Sequence, residues 1–320
     1  MLMHGEVAER YRDFAAFARD DSPTFEAWAL AVADDEEVLA WLADLPRLKQ
    51  QPNLVFAAAR WHGAEAPGPY AGLREVMLGD ETAVKATIQR RATQTNEVGR
   101  LATLVPVLAQ VPGPIGLVEV GASAGLCLHP DRYDYAWPPL GSLGGSGGPV
   151  LTARATGVMP VPTAYPQIAW RGGVDLNPLD VRDPDAMAWL EVLVWPEQDD
   201  RRDRLRAAVE VARRDPAHLE QGDLFDRLPA LLEQASAHGT PVVMHSAVAA
   251  YLDIEGRERL HDLMTGLVRD GACRWISNEG PGVLPRVTGD LDPGPARFLL
   301  ALDGVPVAAT HGHGQAIEWL

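Results

Sequence analysis

The sequence predicts an α/β protein: a mostly parallel, Rossmann-like sheet with a C-terminal antiparallel hairpin, preceded by an N-terminal helical cap. Three observations lead there. The first hundred or so residues carry apolar side chains at helical spacing and almost no strand alternation. From Ile115 onward, short β-rich runs alternate with helical stretches. Residues 117–126 read LVEVGASAGL, a buried strand passing through a tight, small-residue turn into a helix.

In the N-terminal part, Val7, Tyr11, Phe14 and Phe17 form one stripe, and Phe25, Trp28, Ala29 and Val32 another. Ser22 before Pro23 is a helix start, with a capping hydroxyl and a proline in the first turn. Further helices are expected over 36–43, 52–61 and 80–109. Expected strands cover 116–120, 168–174, 241–245 and 273–277. A final pair, 297–302 and 305–310, is joined by Asp303-Gly304, a two-residue hairpin signal. Residues 201–214, 224–235 and 255–269 read as helices. The glycine- and proline-rich stretch near 138–166 reads as an irregular insertion. The expected division is a helical cap domain over 1–112 and an α/β domain over 113–320.

Composition narrows the function. The chain has 320 residues, 47% of them apolar, enough for a large core. A formal charge of −16 repels phosphate backbones and anionic membranes, so a small-molecule substrate is expected and neither nucleic acid nor membrane is. The uncharged run 101–118 is interrupted by Pro106, Pro112, Gly113 and Pro114 and reads as helix end, turn and strand start rather than a membrane span. Cys127 and Cys273 make no disulfide or metal framework, and no secretion signal opens the chain, so a cytoplasmic location is expected. His311 and His313 have no third ligand nearby in sequence, and no metal is expected. The oligomeric state is not encoded in any of these features.

The glycine turn selects the chemistry. It is neither G-x-G-x-x-G nor a P-loop. Glu119, Gly121, Ser123 and Gly125 resemble the first motif of S-adenosylmethionine-dependent methyltransferases, E/D-x-G-x-G-x-G, with Ser123 in the middle glycine's place. Gly-Ala-Ser-Ala-Gly also fits the G-x-S-x-G nucleophile elbow of α/β-hydrolases, with Ser123 as nucleophile. Hydrolases of that fold place several strands before the elbow, and here only helices precede Gly121. A class I methyltransferase sheet begins with the glycine-turn strand and ends in an antiparallel hairpin. A non-catalytic binding or structural module with the same fold is the third reading, since no Asn/Asp-Pro-Pro-Tyr/Phe string follows the fourth strand.

Over nearly its whole length the chain also resembles a bacterial family catalogued as domain of unknown function 2332. The resemblance runs through QPNLVFAA, TQTNEVGR, LVEVGASAGL, DRYDYAW, GVDLNPLDV, VWPEQ, GDLF, MHSAVAAYL and NEGPG. It implies no activity, and fold likeness alone supplies none.

The methyltransferase resemblance implies a cofactor site at the carboxyl ends of the strands. Glu119, Gly121, Ser123 and Gly125 would surround the methionyl part of S-adenosylmethionine. Asp175, ending the second strand, would accept from the ribose hydroxyls or else cap its own turn. Asp223 would accept from the adenine amino group or else act as N-cap of the helix that follows. His245, beside Ser246, is a general base or a hydrogen-bonded fixture of the strand-loop junction. Asn278 and Glu279 are expected to face the same cleft, unless Glu279 pairs with an arginine. Asn96 and Glu97, within a helix carrying Thr93, Glu97 and Arg100 on one face, suggest a lid or substrate role near His245 and Asn278, or an ordinary solvated face. Tyr133, Tyr135 and Trp137 would wall an apolar pocket or lie in the core.

Overall fold

The computed structural model describes residues 2–94, 96–294 and 297–320. The strands are β1 (Pro114–Val120), β2 (Asp134–Trp137), β3 (Gly141–Leu143), β4 (Val150–Thr152), β5 (Arg154–Thr156) and β6 (Gln167–Asp175), followed by β7 (His218–Gln221), β8 (Thr240–Ser246), β9 (Arg274–Glu279), β10 (Arg297–Leu302), β11 (Val305–His311) and β12 (Ala316–Trp319). Nine of them form one sheet in the order β5-β12-β11-β10-β9-β8-β1-β6-β7. β1 pairs in parallel with β6 and β8, β6 with β7, and β8 with β9. Taken in chain order, these five strands stand 3-2-1-4-5. The order reverses between β1 and β8, the switch point at whose carboxyl ends open α/β sheets bind ligands.

β10 runs antiparallel to β9, and β11 antiparallel to β10, through the expected Asp303-Gly304 turn, where both residues have positive φ (53° and 80°). The hairpin is longer than expected: β12 adds an antiparallel strand and β5 pairs with β12. β7 is an edge strand of four residues that no sequence pattern announced.

The chain divides into a compact unit of 1–95 with 184–203 and a second of 96–183 with 204–320. The first unit contains α1 (Leu2–Ala18), α2 (Pro23–Ala33), α3 (Glu36–Ala43), α4 (Pro52–Trp61), α5 (Tyr70–Gly79) and α6 (Glu81–Arg90). Ser22 caps α2 by accepting from the Phe25 N–H at 3.1 Å, and Asp35 caps α3 by accepting from Glu37 and Val38. Tyr11, Phe25, Trp28 and Phe56 are fully buried and meet in edge and stacked ring pairs. Each contributes on the order of 1.5–3 kcal/mol by burial. The segment 184–203 belongs here because its α8 (Pro184–Leu193) carries Trp189 against Trp61, and Trp195 packs on Phe25. The Arg60 guanidinium donates to the Val192 and Val194 carbonyls, and Arg91 lies over both Trp61 and Trp189.

The single helix expected over 80–109 is instead α6, an extended segment, a 3₁₀ turn (Val98–Arg100) and α7 (Leu101–Leu108). Arg91 ends α6 with extended backbone, and Glu97 accepts from the Gly99 N–H at 3.0 Å. That side-chain bond competes with helix continuation. Thr93, Glu97 and Arg100 therefore share no helical face, and Thr95 of TQTNEVGR lies outside the described residues. α7 is fully buried and belongs with the sheet.

The second unit adds α9 (Asp199–Arg214), whose first residues lie in the helical unit, α10 (Leu224–Ser236), α11 (Ile254–Arg269) and α12 (Pro285–Thr288). α10 packs so closely on β1 that a Cβ at Gly116 would stand 2.4 Å from the Ala235 carbonyl oxygen. The stretch 138–166 is not wholly irregular. β2, β3 and β4 make a small sheet, and Asp134 ties its glycine-rich loop by accepting from Ser146 N–H, Ser146 Oγ and the Tyr165 hydroxyl. Three-residue strands are too short to show alternation in sequence.

Candidate functional site at the switch point

β1 is buried from Ile115 to Val120 and delivers the glycine turn to the carboxyl end of the sheet. Gly121, Ser123 and Gly125 all have positive φ (72°, 49° and 68°). For the two glycines this costs nothing; for Ser123 it is strained and must be held. Asp175 holds it, with Oδ2 accepting from the Ser123 N–H at 2.8 Å and Oδ1 from the Asn177 N–H at 2.8 Å. Asn96 holds the other side. Its Nδ2 donates to Ser123 Oγ at 2.9 Å and its Oδ1 accepts from the Ala124 N–H at 3.1 Å. The Gly121 and Ala122 N–H groups donate to the Val174 carbonyl. Gly173 is required here, because a Cβ on it would stand 2.6 Å from that of Ala122.

Glu119, one strand-turn below, is 9% exposed, and its Oε2 is buried without a hydrogen-bond partner. Burial pushes its pKa up to about 8, against the pull of the Arg100 cation and with the help of the Asp175 charge. Cys127 is half-buried and its thiol is pushed well up by burial, with Glu119 adding to the effect. A Cβ at Gly121 would meet Val248 Cγ2 at 2.5 Å, so this glycine admits the loop that follows β8.

That loop is organised by Glu279. Its Oε1 accepts from His245 Nδ1 at 2.6 Å and from the Val248 and Ala249 N–H groups at 3.0 and 3.1 Å. His245 Nε2 accepts from the Trp275 indole N–H at 3.0 Å, which makes the ring the Nδ1–H tautomer. Both nitrogens are thus committed in a buried network, and neither is open to a substrate proton. The arrangement matches the fixture reading of His245. Glu279 pairs with that histidine rather than with an arginine, and both Glu279 and Asn278 are buried. Asn278 accepts from Thr310 Oγ1 at 2.7 Å and donates through Nδ2 to Ser246 Oγ at 2.9 Å.

Asp223 is exposed and caps α10, accepting from the Phe225 N–H at 2.8 Å. Glu97 is buried, with Arg204 at 3.6 Å and His313 at 3.9 Å. Asn96 therefore reaches the turn, while Glu97 faces the C-terminal loop. Tyr133, Tyr135 and Trp137 are core residues, the last two stacked at 5.6 Å. Among the described residues no three His, Cys, Asp or Glu side chains are grouped to hold a metal ion, and no helix is long and apolar enough to cross a membrane.

Sequence reasoning missed Val248, Trp275 and Thr310, and it gave Arg100 no role beyond a surface pair. Arg100 is 7% exposed; its Nη1 donates to the Ser246 carbonyl at 3.0 Å, and its Nε to that of Gly312 at 2.8 Å. The readable signal was an arginine inside an otherwise apolar run, VGRLATLVPVL. A recess of about 320 Å³ lies beside the turn, lined by Ala124, Leu179, Val181, Arg182, Ala217 and Leu219.

No curated protein matches the chain. A family model does: the one described as "Uncharacterized protein conserved in bacteria (DUF2332)" spans residues 8–319, and the chain belongs to that family.

Proposed function

We propose that the protein is an S-adenosylmethionine-dependent methyltransferase acting on a small molecule. The observation that carries this reading is the 3-2-1-4-5 order of the parallel strands, with the glycine turn closing the first of them at the switch point.

The residues at this end fit the cofactor in part. The unpartnered Glu119 oxygen is an acceptor awaiting a donor, such as the ammonium of a methionyl group. The backbone of 122–125 and the carboxylates of Asp175 and Asp223 offer further contacts. Gly121 contributes less than its motif position suggests, because Val248 fills the space over it. When bound, the sulfonium supplies an already activated methyl group. The chain's own task is to orient the acceptor and take its proton. Both ring nitrogens of His245 are committed elsewhere, so that residue offers no base to the acceptor.

One observation favours a hydrolase: the positive φ of Ser123, a strain shared with nucleophile elbows. Its hydroxyl, however, is bonded to the Asn96 amide rather than to an imidazole. Calorimetric titration with S-adenosylhomocysteine tests the proposal. Saturable one-to-one binding is expected, and absence of binding overturns it.

A further inference from the structure

The recess beside the glycine turn is walled by three stretches of the second unit: the turn itself at Ala124, the segment after β6 at Leu179 and Val181, and the end of α9 with the start of β7 at Ala212, Ala217 and Leu219. Its walls are held from outside. The Leu179 N–H donates to the Ser123 carbonyl at 3.0 Å, Asp180 Oδ1 accepts from the Arg182 N–H at 2.9 Å, and Arg213 Nε donates to the Val181 carbonyl at 2.7 Å. Leu219 and Ala217 lie against the turn, since a Cβ at Gly125 would stand 3.3 Å from Leu219 Cδ2 and 3.5 Å from Ala217 Cβ. The space is left by three small side chains, Ala124, Ala212 and Ala217. The two ionisable residues of the lining, Asp180 and Arg182, are exposed and opposite in sign, so they add no net charge.

We infer that this recess holds the apolar ring of the small-molecule substrate, an assignment that rests on the methyl-transfer reading and names the acceptor's class. The recess measures about 320 Å³, roughly twice the apolar cavity that admits benzene, which sets its limit at one fused pair of rings. A ring laid against Leu179, Val181 and Leu219 removes apolar surface from water on both sides. A hydroxylated or ionised molecule of the same size loses its hydrogen bonds to water there, and no buried polar side chain of the lining replaces them. Because backbone bonds shape the walls before any ligand arrives, binding carries little ordering cost. The Leu179–Ser123 bond joins wall and turn, so a ring in the recess is held at a fixed place relative to the glycine turn.

The test is calorimetry and methyl NMR on the full chain with indole as the apolar fused ring and myo-inositol as the hydroxylated, uncharged one. Indole is expected to bind one-to-one with a Kd of about 1 mM or tighter and to shift the Ala124 and Ala217 methyl signals, which myo-inositol leaves in place. Ala217→Phe, which fills the recess from a half-buried position, is expected to weaken indole at least about tenfold. Leu179→Ser, which sets a hydroxyl in the wall and keeps the backbone bond to Ser123, is expected to weaken it by about three- to tenfold, and decides if the first variant fails to fold. No saturable indole binding by wild type, shifts confined to other methyls, equal binding of myo-inositol, or indole affinity indifferent to both substitutions overturns the inference. Displacement of indole by S-adenosylhomocysteine overturns it as well, by giving the recess to the cofactor. S-adenosylhomocysteine titrated alone separates the two proposals: indole binding without it keeps the ring site and removes methyl transfer, and its binding without indole removes the ring site alone.

Discussion

Asp175 accepts a hydrogen bond from the Ser123 N–H at 2.8 Å, so the carboxylate that closes β6 sets the backbone of the turn that closes β1. Two adjacent strand ends are thereby one mechanical unit, with Asn96 bracing its opposite side.

Asp175→Ala removes two backbone-to-carboxylate bonds and frees a strained serine. Charge-assisted bonds of this kind are worth about 1.5–3 kcal/mol each, and partial exposure of Asp175 puts the loss of the two at the lower end, about 3 kcal/mol in total. Urea unfolding measures it, and amide exchange at Ser123 should accelerate selectively. Unchanged protection at Ser123 would contradict the role given to Asp175.

Glu119 predicts an unusual pH dependence. Its folded pKa, about 8, lies above the unfolded value of 4.5, so the native state holds the proton more tightly. Its contribution is fully present below the unfolded value and is lost as pH rises toward 8, at up to about 1.4 kcal/mol per unit. Glu119→Gln keeps the neutral form throughout. The melting temperature of the variant should gain on wild type between about pH 5 and pH 9; parallel curves would count against it.

His129 runs the other way. Burial first, and then the neighbouring Arg171 cation, lower its pKa from 6.5 to about 4, and Arg171 donates to its Nδ1 at 2.6 Å. Stability from the neutral ring is present above pH 6.5 and is lost as pH falls toward 4. Proton NMR should show this imidazole still neutral at about pH 5.

His245 should appear in ¹⁵N spectra as the Nδ1–H tautomer, with a scalar coupling from Nε2 to the Trp275 indole hydrogen. His245→Ala strands buried polar groups on Glu279 and Trp275 and should cost about 3–5 kcal/mol. A freely exposed Nε2 would restore the general-base reading.

Ser123→Ala removes one hydrogen bond, to Asn96, worth about 0.5–1.5 kcal/mol. S-adenosylhomocysteine affinity should stay within about tenfold of wild type, and a fluorophosphonate probe should not label Ser123. Stoichiometric labelling blocked by the alanine change would install the hydrolase.

The central sheet was legible because β1, β6, β8 and β9 are apolar runs bounded by turn residues, and Asp303-Gly304 announces its hairpin. β7 escaped because four residues of an edge strand carry no pattern. The glycine turn, with Glu119 and Asp175, was visible as a motif. What each residue touches was not. Arg100 meets Ser246 and Gly312 at separations of 146 and 212 residues, and His245 is turned inward by Trp275, thirty positions away. Local pattern reports which face an element buries; it is silent on which distant polar group completes a hydrogen bond.

The division of the helical unit between 1–95 and 184–203 bears on how the chain can be made. On the ribosome, the N-terminal helices emerge well before Trp189 and Trp195, so their aromatic core waits, incomplete, through the synthesis of three of the nine strands of the main sheet. A fragment ending near residue 95 lacks those two indoles and should be sticky and chaperone-dependent, whereas linking 184–203 directly to its end is the shortest route to a self-contained helical miniature.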